Sequence, residues 1–198
     1  RGIGGETHWN TITTDTLYAG KAGIEELLQS GTKDGKSWIP AEVNTSIRPG
    51  WFYHASEDSL VRSPENLFEL YLTSVGRGST LLLNIPPDRR GLFHENDVAS
   101  LHGFRKILDS VFAENLAEKA TTTATPVRGD KPIYAADKVL DGDAETYWAT
   151  NDGVTTGSIE LSWDAPQTLN YISLQEYIKL GQRVAAFTVS VWEDGAWK

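Results

Sequence analysis

Apolar positions recur in two rhythms along this chain. Ile24, Leu27 and Leu28 fall on one stripe at three- and four-residue spacing, which predicts a short helix within Ala22–Ser30. Val43, Thr45 and Ile47 alternate, predicting a strand within Trp38–Ile47 that Pro49-Gly50 ends. Ser63-Pro64-Glu65 then reads as a helix start, since serine supplies a capping oxygen and proline suits the first helical position. Leu67, Leu70, Tyr71 and Val75 form its stripe, and Gly76 and Gly78 stop it. Thr80–Ile85 is apolar on both faces, as a parallel strand covered by helices would be, and Pro86-Pro87-Asp88 closes it. A further helix is predicted from about Asn96 to Phe112 through Leu101, Phe104, Leu108 and Val111. SVGRGST (Ser74–Thr80) lacks the lysine and spacing of a phosphate loop and reads as a helix-to-strand turn. Strand, helix, strand, helix suits the closing, C-terminal portion of an α/β barrel, so residues 1–117 are expected to be part of one.

The rhythm changes after residues 118–132, where four threonines and two prolines predict a connector. Beyond it, Ala136–Leu140, Thr156–Trp163, Leu169–Glu176 and Ala186–Glu193 are strand candidates, and Asp194-Gly195 looks like a hairpin turn. A sandwich usually takes about seven strands, so residues 133–198 read as an incomplete all-β sandwich. The fold class is α/β followed by this β-rich part.

Composition narrows the function. The 198 residues carry 18 Lys+Arg against 27 Asp+Glu, a net charge of −9, and acids outnumber bases on both sides of the seam. Such a chain is not built to neutralise a phosphate backbone, so nucleic acid is excluded as a partner. A hydrophobic content of 39% is enough for packed cores, and no run of about 18 apolar residues exists to span a membrane. The absence of cysteine removes disulfides, thiolate metal sites and a cysteine nucleophile together. The absence of methionine and the start at Arg1 suggest a chain processed or cut from something larger.

Two segments hold candidate chemistry, Pro40–His54 and Asn84–His94, because barrel sites form at the C-terminal ends of strands. The first gathers Glu42, Arg48, Trp51, Tyr53 and His54. A carboxylate, a cation and aromatic rings suit a sugar, with a ring for its C–H face and acids for hydroxyls and proton transfer. The same residues also fit a structural reading in which Trp51 and Phe52 are core and Arg48 pairs with a surface acid. The adjacent carboxylates Glu25–Glu26 and Glu57–Asp58 point in different directions and are expected on solvated faces. The four histidines show no zinc-type spacing.

WIPAEVNTSIRPGWFYH and SVGRGSTLLLNIPPDRRGLFHEND together resemble glycoside hydrolase family 29, the retaining α-L-fucosidases, over about residues 1–115. The resemblance implies a (β/α)8-like barrel of which this chain holds the C-terminal portion. It also implies double displacement, in which an aspartate attacks the anomeric carbon and a glutamate protonates the leaving oxygen, then activates water. The family's nucleophile lies in a motif similar to W-x-D-G that this sequence lacks, so it is expected upstream of Arg1. The acid/base matches Glu42 in one branch of the family. In the other branch, which favours 1,3- or 1,4-linked fucose, it lies in a loop before a motif similar to GGETHW, immediately before Arg1, with Glu6 as a further candidate. Trp51 matches the aromatic placed against the fucose ring and its methyl group, with Arg48 and His54 as neighbouring substrate-binding candidates. No cofactor is implied for catalysis. The substrate implied is a fucosylated oligosaccharide or glycoconjugate, met by a secreted or periplasmic enzyme.

AADKVLDGDAETYWATNDG (Ala135–Gly153) resembles the discoidin-like, coagulation-factor type C domains, which include family 32 carbohydrate-binding modules and have a galactose-binding-like jelly-roll sandwich. The resemblance implies a structural Ca²⁺ at Asp141, Asp143 and Thr146, with a turn lacking any metal as the alternative. Trp148 reads as core. A second function class stays open at this point, a non-catalytic carbohydrate-binding or adhesive protein that uses the sandwich.

Overall fold

The structure is a computed structural model, and it describes residues 9–198. The chain divides into two compact units, one running to Ala113 and including Val184–Lys198, the other Glu114–Arg183.

In the first unit β1 (Thr11–Ile12) pairs antiparallel with β2 (Ser37–Trp38), and α1 (Ile24–Ser30) lies between them in sequence. Ile12 is buried, while Glu25 and Glu26 are exposed, as their pairing predicts. Pro40 has no N–H to offer a ladder, and the strand predicted as Trp38–Ile47 is accordingly split into β2 and β3 (Ala41–Ser46).

β3, α2 (Pro64–Ser74) and β4 (Ser79–Asn84) form one strand–helix–strand unit with the two strands parallel, Glu42 opposite Thr80 and Ser46 opposite Asn84. Ser63 caps α2 by accepting from the Asn66 N–H at 3.2 Å. Gly78, at φ +77°, carries the turn into β4 through a conformation that other residues rarely adopt. One face of the pair, with Val43, Leu81 and Leu83, is half-buried; the other, with Glu42, Asn44 and Leu82, is exposed. Both faces of β4 are apolar, but among the described residues only one is covered, and no closed barrel forms.

α3 (Glu95–Val111) packs against α2, with Phe68, Tyr71, Phe104 and Phe112 in contact at ring separations of 6.1–6.4 Å. The helices approach so closely that a Cβ on Gly103 would stand 2.5 Å from the ring of Pro64. Alongside Ile47, Leu67 and Phe68, the interior holds Ser46, Arg48, Ser74, Asp97 and Ser100, so much of what is buried here is polar.

In the second unit β5 (Thr121–Thr125) pairs antiparallel with β6 (Ser158–Ser162). The expected 118–132 connector is therefore partly a strand, because threonine is β-branched and stabilises extended backbone once a partner strand is present. Ala136–Leu140, expected as a strand, is instead a 3-10 turn over Ala136–Val139 with Ala136 buried. Leu169–Glu176 has no strand partner among the described residues. Trp148 donates its indole N–H to the Pro126 carbonyl at 3.0 Å, and Trp163 donates to that of Leu116 at 2.9 Å. Gly157 passes under the ring of Trp148 where a Cβ would come within 2.8 Å.

At the end of the first unit β7 (Trp192–Glu193) and β8 (Ala196–Trp197) form a hairpin. Its turn is the expected Asp194-Gly195, both at positive φ (53° and 80°), which is the mirror-type turn that matches strand twist. No described helix is long and apolar enough to cross a membrane.

Candidate functional site

β3 and β4 end side by side, and the polar residues there shape the loop that follows β3. The Asn84 side-chain amide donates to Ser46 Oγ at 3.1 Å and to the Trp51 carbonyl at 3.0 Å. Ser46 Oγ in turn donates to the Gly50 carbonyl at 2.8 Å. Residues 49–52 are thereby pinned through their main chain, which leaves the side chains outward: Trp51 is 52% and Phe52 77% exposed. Both were open to a core reading on sequence, and both are surface rings.

Behind this loop Arg48 runs inward, its side chain fully buried. Its Nε and Nη2 donate to the equally buried Asp97 carboxylate at 3.0 and 2.6 Å, a two-pronged pairing. Nη1 donates to Asp58 Oδ1 at 2.9 Å and to the His54 carbonyl at 3.4 Å. The guanidinium lies 4.8 Å from the centre of the Tyr53 ring. A buried cation is tolerable only when its donors are met, and here two carboxylates and a carbonyl meet them. The bond to Asp97 raises the Arg48 pKa against the opposing effect of burial. Tyr53 is likewise raised, by desolvation first and then by Asp58.

The first turn of α3 grips the segment after the loop. His94 caps the helix by accepting the Asn96 N–H at Nδ1 (3.2 Å), which leaves Nε2 facing Asp58 at 3.3 Å. The Asn96 amide donates to the Asp58 carbonyl at 2.7 Å, and Ser100 Oγ donates to the Arg62 carbonyl. Glu57 and Asp58, expected on a solvated face, are instead half-buried, because Arg48 draws Asp58 inward. The next loop is held by Asp88, which accepts from Arg90 N at 2.7 Å and from the Arg90 guanidinium at 2.6 Å. That guanidinium holds the Asp88 carboxyl below the usual range.

Of the predicted residues, Arg48, Trp51 and His54 come together at the C-terminal end of β3. Arg48 serves the interior; Trp51 and His54 are exposed. Glu42 stands apart: exposed and second in β3, it lies four residues, about 13 Å of extended backbone, before Ser46, where the loop departs. Glu6 falls outside the described residues. The sequence reading had Asn84 only as the first residue of a candidate segment and Asp58 only as a solvated carboxylate, and it missed Asp97. Asp97 in the first turn of a helix looks like an ordinary N-terminal carboxylate; only a buried arginine elsewhere would have signalled its need for a partner.

In the second unit Asp141, Asp143 and Thr146 do converge. Thr146 Oγ1 donates to the Asp141 carboxylate, 2.8 Å from each oxygen, and lies 3.1 Å from the Asp143 carbonyl. The Asp143 carboxylate turns away to accept the Glu145 N–H at 2.9 Å. Bonds from Asp143 N–H, and then from Thr146, lower the Asp141 pKa. Oxygens about 3 Å apart match the spacing within a Ca²⁺ shell. The donor set is one carboxylate, one hydroxyl and a carbonyl, and no group of three or more His, Asp or Glu able to hold a metal occurs among the described residues. Lys138 Nζ, 3.4 Å from Asp141, supplies a competing positive charge.

Comparison with known proteins places both halves. The α-L-fucosidase family model matches residues 7–110, and the F5/8 type C domain model matches residues 119–198. The chain is 34% identical to "Alpha-L-fucosidase 1" of Arabidopsis thaliana over 196 residues, 98% of this chain. It spans 38% of the length of the curated plant relatives it matches. Among solved structures it superposes on SpGH29 with a TM-score of 0.87 at 38% identity, covering all of this chain and 42% of that one. On a Ruminococcus gnavus GH29 fucosidase in complex with fucose, the TM-score is 0.66 at 30% identity, covering 80% of this chain and 32% of that one.

Proposed function

Because the chain belongs to the α-L-fucosidase family, glycoside hydrolase family 29, we propose that it supplies the Trp51 wall of a retaining exo-α-L-fucosidase site. The observation that carries this is Trp51 itself: an exposed indole whose main chain is tied to Asn84 at the C-terminal ends of two parallel strands. A six-deoxy sugar presents an apolar C6 methyl and a C–H face, and an aromatic ring is the side chain that covers both. Exposed His54 is a second substrate contact. Arg48, with its donors held inside, acts on the loop and not on the sugar.

Retention requires a nucleophilic carboxylate and an acid/base carboxylate about 5–5.5 Å apart. Neither role is assigned to Glu42, which lies toward the wrong end of its strand. The substrate class is a terminal α-L-fucoside, with 1,3- or 1,4-linkage favoured by the resemblance of SIRPGWFYH to that branch, and the setting is secreted or periplasmic. The barrel is proposed as (β/α)8-like and the second part as a jelly-roll sandwich. In the sandwich a Ca²⁺ would be held by the Asp141 carboxylate, Thr146 Oγ1 and the Asp143 carbonyl, where it would brace the turn.

The test is release of 4-nitrophenol from its α-L-fucoside by the full-length protein, with the anomer of the released sugar followed by NMR. Release of α-L-fucose as first product is expected. Sugar binding without turnover would overturn the enzyme reading in favour of an adhesive one, and first release of the β-anomer would overturn retention.

A further inference from the structure

The buried Asp97 contributes no atom to the proposed sugar wall, yet the loop that carries Trp51 is anchored on it. Arg48 stands at the start of the loop and reaches its far end through the His54 carbonyl, while its guanidinium covers the Tyr53 ring between them. Both prongs of the guanidinium that point into the protein end on Asp97, 49 positions away on α3. The side chains of both partners are fully buried, so no water can substitute for the carboxylate. The side chains of Asn84 and Ser46 hold the loop at the Trp51 and Gly50 carbonyls, and Arg48 holds it at the His54 carbonyl.

We propose that Asp97 is a positioning residue for substrate selection: by clamping Arg48 it sets the angle at which Trp51 meets C6 of the sugar. This rests on the fucosidase reading above, and it makes a claim that reading does not. An indole held flat against a methyl group discriminates against a sugar bearing a hydroxyl at C6, since the hydroxyl would lose water without gaining a partner. A tilted indole discriminates less. Loss of Asp97 therefore erodes the preference for fucose over its 6-hydroxy counterpart, L-galactose.

The experiment compares kcat/KM for the 4-nitrophenyl α-L-fucoside and α-L-galactoside in the full-length protein and its Asp97→Asn variant. Their ratio does not depend on the folded fraction, which cancels, so partial unfolding cannot imitate the effect. The expected result is a ratio at least about threefold lower in the variant, a measurable part of the roughly 10–200-fold such contacts provide. An unchanged ratio, with both rates falling together, makes Asp97 purely structural and overturns the proposal. If Asp97→Asn does not fold, Asp97→Glu decides: it keeps the buried charge that Arg48 pairs with but moves the carboxylate by one methylene, and so shifts the guanidinium it holds. A lowered ratio there upholds the clamp, and an unmoved one overturns it. Failure of the unsubstituted protein on the fucoside would instead bring down the fucosidase reading, and the clamp with it.

Discussion

The side-chain amide of Asn84 donates to the main-chain oxygen of Trp51 across 33 positions of sequence, at 3.0 Å. That bond sets the loop while leaving the indole free. Asn84→Ala removes it together with the bond to Ser46, and the loop is expected to lose its resting position. A net hydrogen bond is worth about 0.5–1.5 kcal/mol, so kcat/KM on the aryl fucoside should fall by about 3- to 10-fold. Steady-state kinetics of the full-length variant check this.

Trp51→Ala should cost more. Losing an aromatic face from a sugar removes on the order of 1–3 kcal/mol, so kcat/KM should drop by about 5- to 150-fold with the melting temperature nearly unchanged, because the exposed ring packs little of the core. Unchanged kcat/KM would remove Trp51 from the site.

Arg48→Met leaves Asp97 as a buried, unpaired carboxylate. A loss of about 3–5 kcal/mol in folding stability is expected, and the double variant Arg48→Met/Asp97→Leu should recover most of it by removing both charges. Urea unfolding midpoints of the single and double variants measure this; a double variant no more stable than Arg48→Met would refute the account.

Asp88 predicts an acid limb. Its carboxyl titrates below the usual range because of Arg90, so the folded protein binds that proton more weakly than the unfolded chain does. The stabilisation is complete above about pH 4, where the unfolded carboxyl is ionised, and is lost as pH falls through the lower folded value. Asp88→Asn should flatten the fall in urea midpoint between about pH 4 and pH 2; an equally steep fall in the variant would show that Asp88 is not its source.

Calcium should stabilise the second unit through the Asp141 turn. Saturating Ca²⁺ is expected to raise Tm by a few degrees over chelator, roughly the effect of 1–2 kcal/mol of linkage, and Asp141→Ala should abolish the shift. Equal Tm values with and without Ca²⁺ would leave the turn to Lys138 and Thr146 alone.

The strand–helix–strand unit was legible because its signals were local and consistent: the Ser63 cap, the α2 stripe, the glycines before β4 and the continuous apolar run all specify the same elements. The Asp194-Gly195 turn was legible for the same reason. The β-rich part was not, because a strand exists only with its partner. Thr121–Thr125 lacks apolar alternation and still pairs with Ser158–Ser162, whereas Leu169–Glu176 has the composition of a strand but pairs with no strand among the described residues. The site divided along the same line. Trp51 and Arg48 could be found from their neighbours in sequence, but the exchange of roles, with the arginine inside and the tryptophan outside, depends on Asp97 and Asn84, which only the fold brings near.

Gly103 works as a gauge. With no side chain, it lets the Pro64 ring rest directly on α3, and one turn earlier on the same helix Ser100 holds the Arg62 carbonyl. The spacing of the two helices is thus transmitted to the chain leaving the Trp51 loop. A single methyl at position 103 would act as a shim, pushing α2 outward and retuning the proposed sugar wall, which lies on another element altogether.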